Sequence, residues 1–237
     1  MNQDWGHEQR DRELSWSELF YDLIYVVATK NLAATLSSGD WIDFLVFPIL
    51  FTPIWWAWTF MNGYVTRFFQ DDLAHRIFFF FQMLGVAAIV ISVPHVLKDN
   101  GYFFIFVGGI FLMRSCLLVA NLVTAVYLPR ARFHCISSIV HFCCGLMVWS
   151  GACLSTLLWR GDANTLYYVQ FAFTLVASLM EVTFLLLYIC IGTIFKLKGV
   201  PVHVAHTAER YSNFVIIGLG ESVFAIGGAT KQLPSLV

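Results

Sequence analysis

Seven apolar stretches, each long enough to cross a bilayer as a helix, constrain this chain more than any motif does. They lie at 16–37, 41–63, 74–96, 101–128, 132–158, 165–195 and 206–229. Crossing ~30 Å of hydrocarbon takes about 20 helical residues. The strands of a membrane barrel would alternate apolar and polar side chains over ~10 residues. Runs such as Ile77-Phe78-Phe79-Phe80-Phe81 and Phe184-Leu185-Leu186-Leu187 do not alternate. A helix satisfies its own backbone in lipid, so the expectation is an all-α, polytopic transmembrane bundle of about seven helices. Composition agrees: 59% of the residues are hydrophobic, 12% are charged, and the mean hydropathy is +0.72. A soluble fold of this size has too little polar surface to cover so much apolar material. A net charge of -1 and a pI near 6.6 exclude a basic nucleic-acid binder.

Charge in the loops sets the expected orientation. Arg10, Arg12, Arg67, Arg76, Arg130, Arg132, Lys196, Lys198 and Arg210 flank one side, nine in all, against Lys98, Arg160 and Lys231 on the other. The positive-inside rule then puts the N-terminus in the cytoplasm. The domain reading is a cytoplasmic segment at 1–15, a transmembrane domain at 16–229 and a short tail at 230–237. Residues 1–13 are polar and mixed in charge, unlike a cleavable signal, so helix 1 is expected to serve as its own insertion signal. All six cysteines fall inside apolar stretches and read as small packing residues, not as a disulfide or zinc framework.

Ionisable groups inside membrane helices cost roughly 2.5–3.5 kcal/mol each on insertion scales, so they carry most of the functional information. Glu18 and Asp22 are spaced i, i+4 and share a helix face that Thr29 continues. Two carboxylates so close cannot both ionise easily, and such a pair suits a cation or an exchangeable proton. For Glu18 the alternative is helix capping at the interface. Arg114 and Glu181 sit at the middles of helices 4 and 6, and His141 sits near the middle of helix 5. Arg114 is expected to face Glu181 near the bilayer midplane, with His141 as the rival partner for the carboxylate. Glu221 follows the small residues Gly218 and Gly220 on helix 7, which allow helix 1 to come close. Glu18, Asp22 and Glu221 are therefore expected to point into the bundle.

Other features have plainer readings. Trp55, Trp56 and Trp58 resemble an interfacial belt closing helix 2. Arg67, Asp71, Asp72 and Arg76 read as a cytoplasmic turn with internal ion pairs. His134 and His141 lie i, i+7 on one face, and His203 and His206 read as an exposed loop pair, so no cofactor or metal is expected. Gly220-Glu221-Ser222 lacks the strand-turn-helix setting of a nucleophile elbow, and Gly218-x-Gly220 is too short for a dinucleotide loop. The chain does not read as an enzyme.

Three blocks in fixed order resemble the bacterial low temperature requirement A family of membrane proteins. They are Glu18-Leu19-Phe20-Tyr21-Asp22-Leu23-Ile24-Tyr25-Val26; Trp55-Trp56-Ala57-Trp58 with Arg67-Phe68, Asp71-Asp72-Leu73 and Arg76; and Ala208-Glu209-Arg210 with Gly220-Glu221-Ser222. The resemblance singles out Glu18, Asp22, Trp58, Arg67, Asp71, Arg76, Glu209, Arg210 and Glu221 as motif positions. It implies a multi-helix membrane protein and carries over no catalytic mechanism. Tyr21 and Tyr25 stand where the family has phenylalanine. Family members run on for several more helices, so the expectation is a fragment or a shortened paralogue. The functional expectation is a channel or transporter for a small cation or proton that uses buried carboxylates, set in the lipid bilayer. The alternative is a structural or stress-related membrane module in which the same groups join helices.

Overall fold

The computed structural model describes residues 15–34, 41–68, 72–97, 99–194 and 200–230, with side chains left out at 41–43 and 221–230. Among the described residues seven α-helices follow one another: α1 Trp16–Ala33, α2 Trp41–Phe68, α3 Leu73–Ser92, α4 Asn100–Tyr127, α5 Arg132–Leu158, α6 Ala163–Ile194 and α7 Val204–Thr230. Five of them, α2 to α6, are long and apolar enough to span a membrane by length and composition. α1 carries Glu18, Asp22 and Lys30 among its 18 residues. The protein is a multi-pass membrane protein, and its outward surface is a coat of large apolar side chains such as Phe80, Val126, Met147 and Leu186.

The termini follow local chemistry. Ser15 and Glu18 form a reciprocal capping box on α1. Asp72, Asp99 and Asp162 cap α3, α4 and α6 by accepting the amides of His75, Gly101 and Thr165. The Thr165 amide and hydroxyl together hold the Asp162 carboxyl below its usual range.

α2 contains Pro48 and Pro53 yet continues as helix to Phe68. Proline lacks an N–H, so Pro53 cannot bond the carbonyl of Ile49 four residues earlier. The Ser178 hydroxyl on α6 lies 2.9 Å from that carbonyl and 2.9 Å from the Thr174 carbonyl of its own helix, so its one proton is shared between the two. A broken bond inside one helix thus becomes a tie between two, as lipid requires. α3 and α4 meet through Gly85 and Gly109. A Cβ on Gly85 would lie 2.9 Å from the Gly109 carbonyl, and one on Gly109 would lie 2.6 Å from the Gly85 carbonyl. Only two glycines allow the backbones this close.

The continuation of α2 corrects the belt reading of its tryptophans. Trp58 is fully buried and lies near the middle of a longer helix. The apolar count ends at residue 63 because polar Asn62, Tyr64 and Thr66 cluster around that point, but these point into the protein. Asn62 and Thr66 are buried, and the Tyr64 hydroxyl lies 3.0 Å from the Thr124 hydroxyl on α4.

Candidate functional site

Among the described residues two buried charge clusters lie in the bundle. The first joins α1 to α7. Glu18 and Asp22 sit two and six residues past the first residue of α1, and His206 and Arg210 sit two and six past the first of α7. Both pairs are spaced i, i+4, so the helices pair as two rungs. The Arg210 Nη2 donates to Asp22 Oδ1 at 2.5 Å, and Nε lies 3.4 Å from Oδ2. The Trp58 indole N–H donates to the same Oδ1 at 2.8 Å. The Arg210 guanidinium also stacks 5.8 Å from the Trp58 ring. In the other rung, Glu18 Oε1 lies 3.5 Å from His206 Nε2. Its second oxygen accepts the Ser15 amide and hydroxyl at 2.9 Å. Glu18 thus serves both as a cap and as an interhelical partner. All four side chains of the rungs are 0% exposed in the two ion pairs.

This arrangement corrects three readings. Arg210 is not part of a cytoplasmic surface motif but lies in the polar core, and without it the basic count is eight to three, with the same sense. His206 is buried, not exposed, because α7 begins before it; the ring of His203 accepts the His206 amide at 3.1 Å and so caps the helix. Trp58 is a hydrogen-bond donor to Asp22. The signal for the rungs is legible in the sequence, since His206-x-x-x-Arg210 repeats the spacing of Glu18-x-x-x-Asp22 with opposite charge. Thr29 takes no part and bonds the Val26 carbonyl of its own helix at 2.8 Å.

The second cluster joins α4, α5 and α6. Arg114 forms an ion pair with Glu181, and His141 Nε2 lies 2.7 Å from the other carboxylate oxygen. His141 is therefore a companion of Arg114, not its rival. α4 and α6 are separated by α5, and Gly145 opens the way: a Cβ there would lie 2.5 Å from Arg114 Nη1. His134 faces α6 as His141 does, and its Nδ1 lies 3.0 Å from the Tyr188 hydroxyl.

A cleft of about 330 Å³ lies between α2, α5, α6 and α7, in the half of the bundle that holds the α1 N-terminus. Phe60, Phe142 and Phe184 line it and also pack on His141, with ring centroids 4.8, 5.6 and 4.3 Å away. Tyr211 lines another wall and stacks edge-on against Trp58 at 4.9 Å. The cleft thus meets both clusters through one layer of aromatic rings.

Arg67 lines this cleft, and among the described residues its side chain bonds its own helix, Nη1 donating to the Gly63 carbonyl at 2.7 Å, with no acidic partner from the turn. Arg76 and Glu209 are exposed. Asp71 lies outside the described residues. Glu221 is on the backbone of α7, but its side chain lies outside them too, so its expected inward direction is not described.

The family model described as "Bacterial low temperature requirement A protein (LtrA)" matches residues 13–237. An uncharacterized protein of Rhizobium meliloti (strain 1021), RA0937, is 23% identical over 219 residues, covering 91% of this chain and 51% of that protein. The chain spans about half the length of the curated relative it matches. No solved structure matches it.

Proposed function

This chain belongs to the bacterial low temperature requirement A family, and from that premise we propose that its bundle couples movement of a proton or small cation to a change in helix packing. The carrying observation is the carboxylate of Glu181, shared by Arg114 and His141 beneath the aromatic floor of an open cleft. With Arg114 charged, Glu181 ionised and His141 neutral, this cluster carries no net charge. One added proton, on His141 or Glu181, leaves it at +1 in low dielectric, which is costly unless water, an ion or a helix movement compensates. That linkage between protonation and packing is what a proton-coupled carrier needs. Rotation of Phe60 or Phe184 would connect the cleft to His141. Asp22 offers the matching group in the first cluster, held by Arg210 and the Trp58 indole.

A second reading is supported by the pairing of each of these buried acids with a basic side chain. Glu18, Asp22 and Glu181 each have an arginine or histidine partner. Such pairs also serve as glue between membrane helices, each interhelical hydrogen bond contributing about 0.6 kcal/mol on average. Flux separates the two. The chain is reconstituted in liposomes holding a pH-sensitive dye, and a pH step is applied with and without sodium or potassium. Proton or cation movement that Glu181→Gln or Asp22→Asn removes, in protein that still folds, supports the coupled carrier. No movement above empty liposomes supports the structural module.

A further inference from the structure

The cleft also has a chemistry of its own. Its volume, about 330 Å³, is that of a small-molecule site. Trp56, Phe60, Phe142 and Tyr211 give it flat aromatic walls, suited to a ring. Its one permanent cation is Arg67, and no aspartate or glutamate lines it among the described residues. Arg67 stands one residue before the end of α2, where an arginine could extend toward water. It is instead bent back along the helix, tied through Nη1 to the Gly63 carbonyl, with Nε buried and without a hydrogen-bond partner. Asn62 is 2% exposed, lines the same cleft, and has an amide oxygen without a hydrogen-bond donor. A half-buried guanidinium lacking a counter-ion among the described residues and a buried acceptor lacking a donor are both costly, and a ligand is one way to complete them.

We propose that this cleft binds a small aromatic monoanion that also carries a hydroxyl or N–H donor. The ring stacks on the aromatic walls, the anionic head meets Arg67, and the donor serves Asn62. The charge pattern favours an anionic over a cationic organic ligand as the resident occupant, because Arg67 repels a bound cation and no acid among the described lining residues would hold one, which leaves the passage of a proton or small ion untouched. The assignment concerns ligand chemistry and stands apart from the transport reading, since binding is measured without any flux.

The test uses three phenols that differ in head group: 4-hydroxybenzoate, its neutral methyl ester, and tyramine as the cation. Each is titrated into the chain in nanodiscs by calorimetry, with empty nanodiscs subtracted. The expected result is saturable binding of 4-hydroxybenzoate, about tenfold or more tighter than the ester, and no binding of tyramine. Arg67→Gln is expected to remove the advantage of the acid over the ester. Ser137→Phe, which fills the cleft from α5 without altering Arg67, is expected to abolish binding of both. Equal binding of acid and ester to the unaltered chain overturns the proposal and needs no variant that folds. So does saturable binding of tyramine, or the absence of any saturable binding of the acid.

Discussion

Taking away the Arg114 guanidinium would leave the Glu181 carboxyl in the bundle without its permanent counter-charge. Breaking a buried ion pair from one side typically costs about 3–5 kcal/mol, whereas replacing both partners with apolar groups costs far less. Arg114→Leu is therefore expected to lower the thermal midpoint in detergent sharply, and Arg114→Leu/Glu181→Leu is expected to recover much of the loss. Equal losses would mean that the two residues are not coupled. Gly145 gives an independent check on the same contact. Its alanine variant places a carbon 2.5 Å from Arg114 Nη1, an overpacking whose usual cost is about 1–3 kcal/mol. In the double-leucine background the same Gly145→Ala change should cost almost nothing, as read by the same melting curves. The pair was legible in the sequence because two opposite charges at the middles of two apolar helices have few other places to go. Gly145 was not, because glycine is common in membrane helices and its role depends on the length of a side chain from another helix. His206 was misread for a similar reason: a histidine beside a loop looks exposed until the helix start is known.

At the scale of the element, the most specific joint is the one between α2 and α6. It rests on an absence, the N–H that Pro53 does not have, and on the Ser178 hydroxyl that answers it at 2.9 Å. Ser178→Ala should destabilise the bundle by roughly 0.6 kcal/mol, the average for interhelical hydrogen bonds in a membrane, and by no more than about 1.7 kcal/mol, the largest value found for one. Pro53→Ala restores the N–H, so the Ile49 carbonyl regains a partner within α2. In that background Ser178→Ala should be nearly silent. Unfolding in mixed micelles of the four combinations measures this, and a Ser178→Ala cost independent of residue 53 would show that the hydroxyl acts elsewhere. The number and approximate limits of the helices could be read from apolar length alone, because lipid imposes that length. The end of α2 could not. Its last two turns bury Asn62 and Thr66 against protein, so hydropathy falls while the helix continues. The tryptophans just before then look like a boundary.

The whole molecule is ordered by the two rungs between α1 and α7. Glu18 meets His206 and Asp22 meets Arg210 at matched distances from the helix starts. Side chains at matched positions meet on both rungs only if the two helices run in the same direction at the same depth. The start of α7 must then lie on the same face of the membrane as the start of α1, and the chain between them must cross an even number of times. Alternating crossings of α1 to α6 satisfy this, and the surplus of loop arginine and lysine on the α1 side predicts that this face is the cytoplasmic one. Single cysteines at exposed positions test both statements in a background without the six native thiols. His95→Cys and Arg160→Cys, at the far ends of α3 and α5, should react with a membrane-impermeant maleimide in intact cells. Arg130→Cys and Pro201→Cys, beside the starts of α5 and α7, should react only after permeabilisation. If all four reverse, the orientation is wrong and the rungs stand. If Pro201→Cys reacts together with Arg160→Cys while Arg130→Cys stays protected, α6 does not cross, α7 starts on the opposite face from α1, and Asp22 cannot be the partner of Arg210.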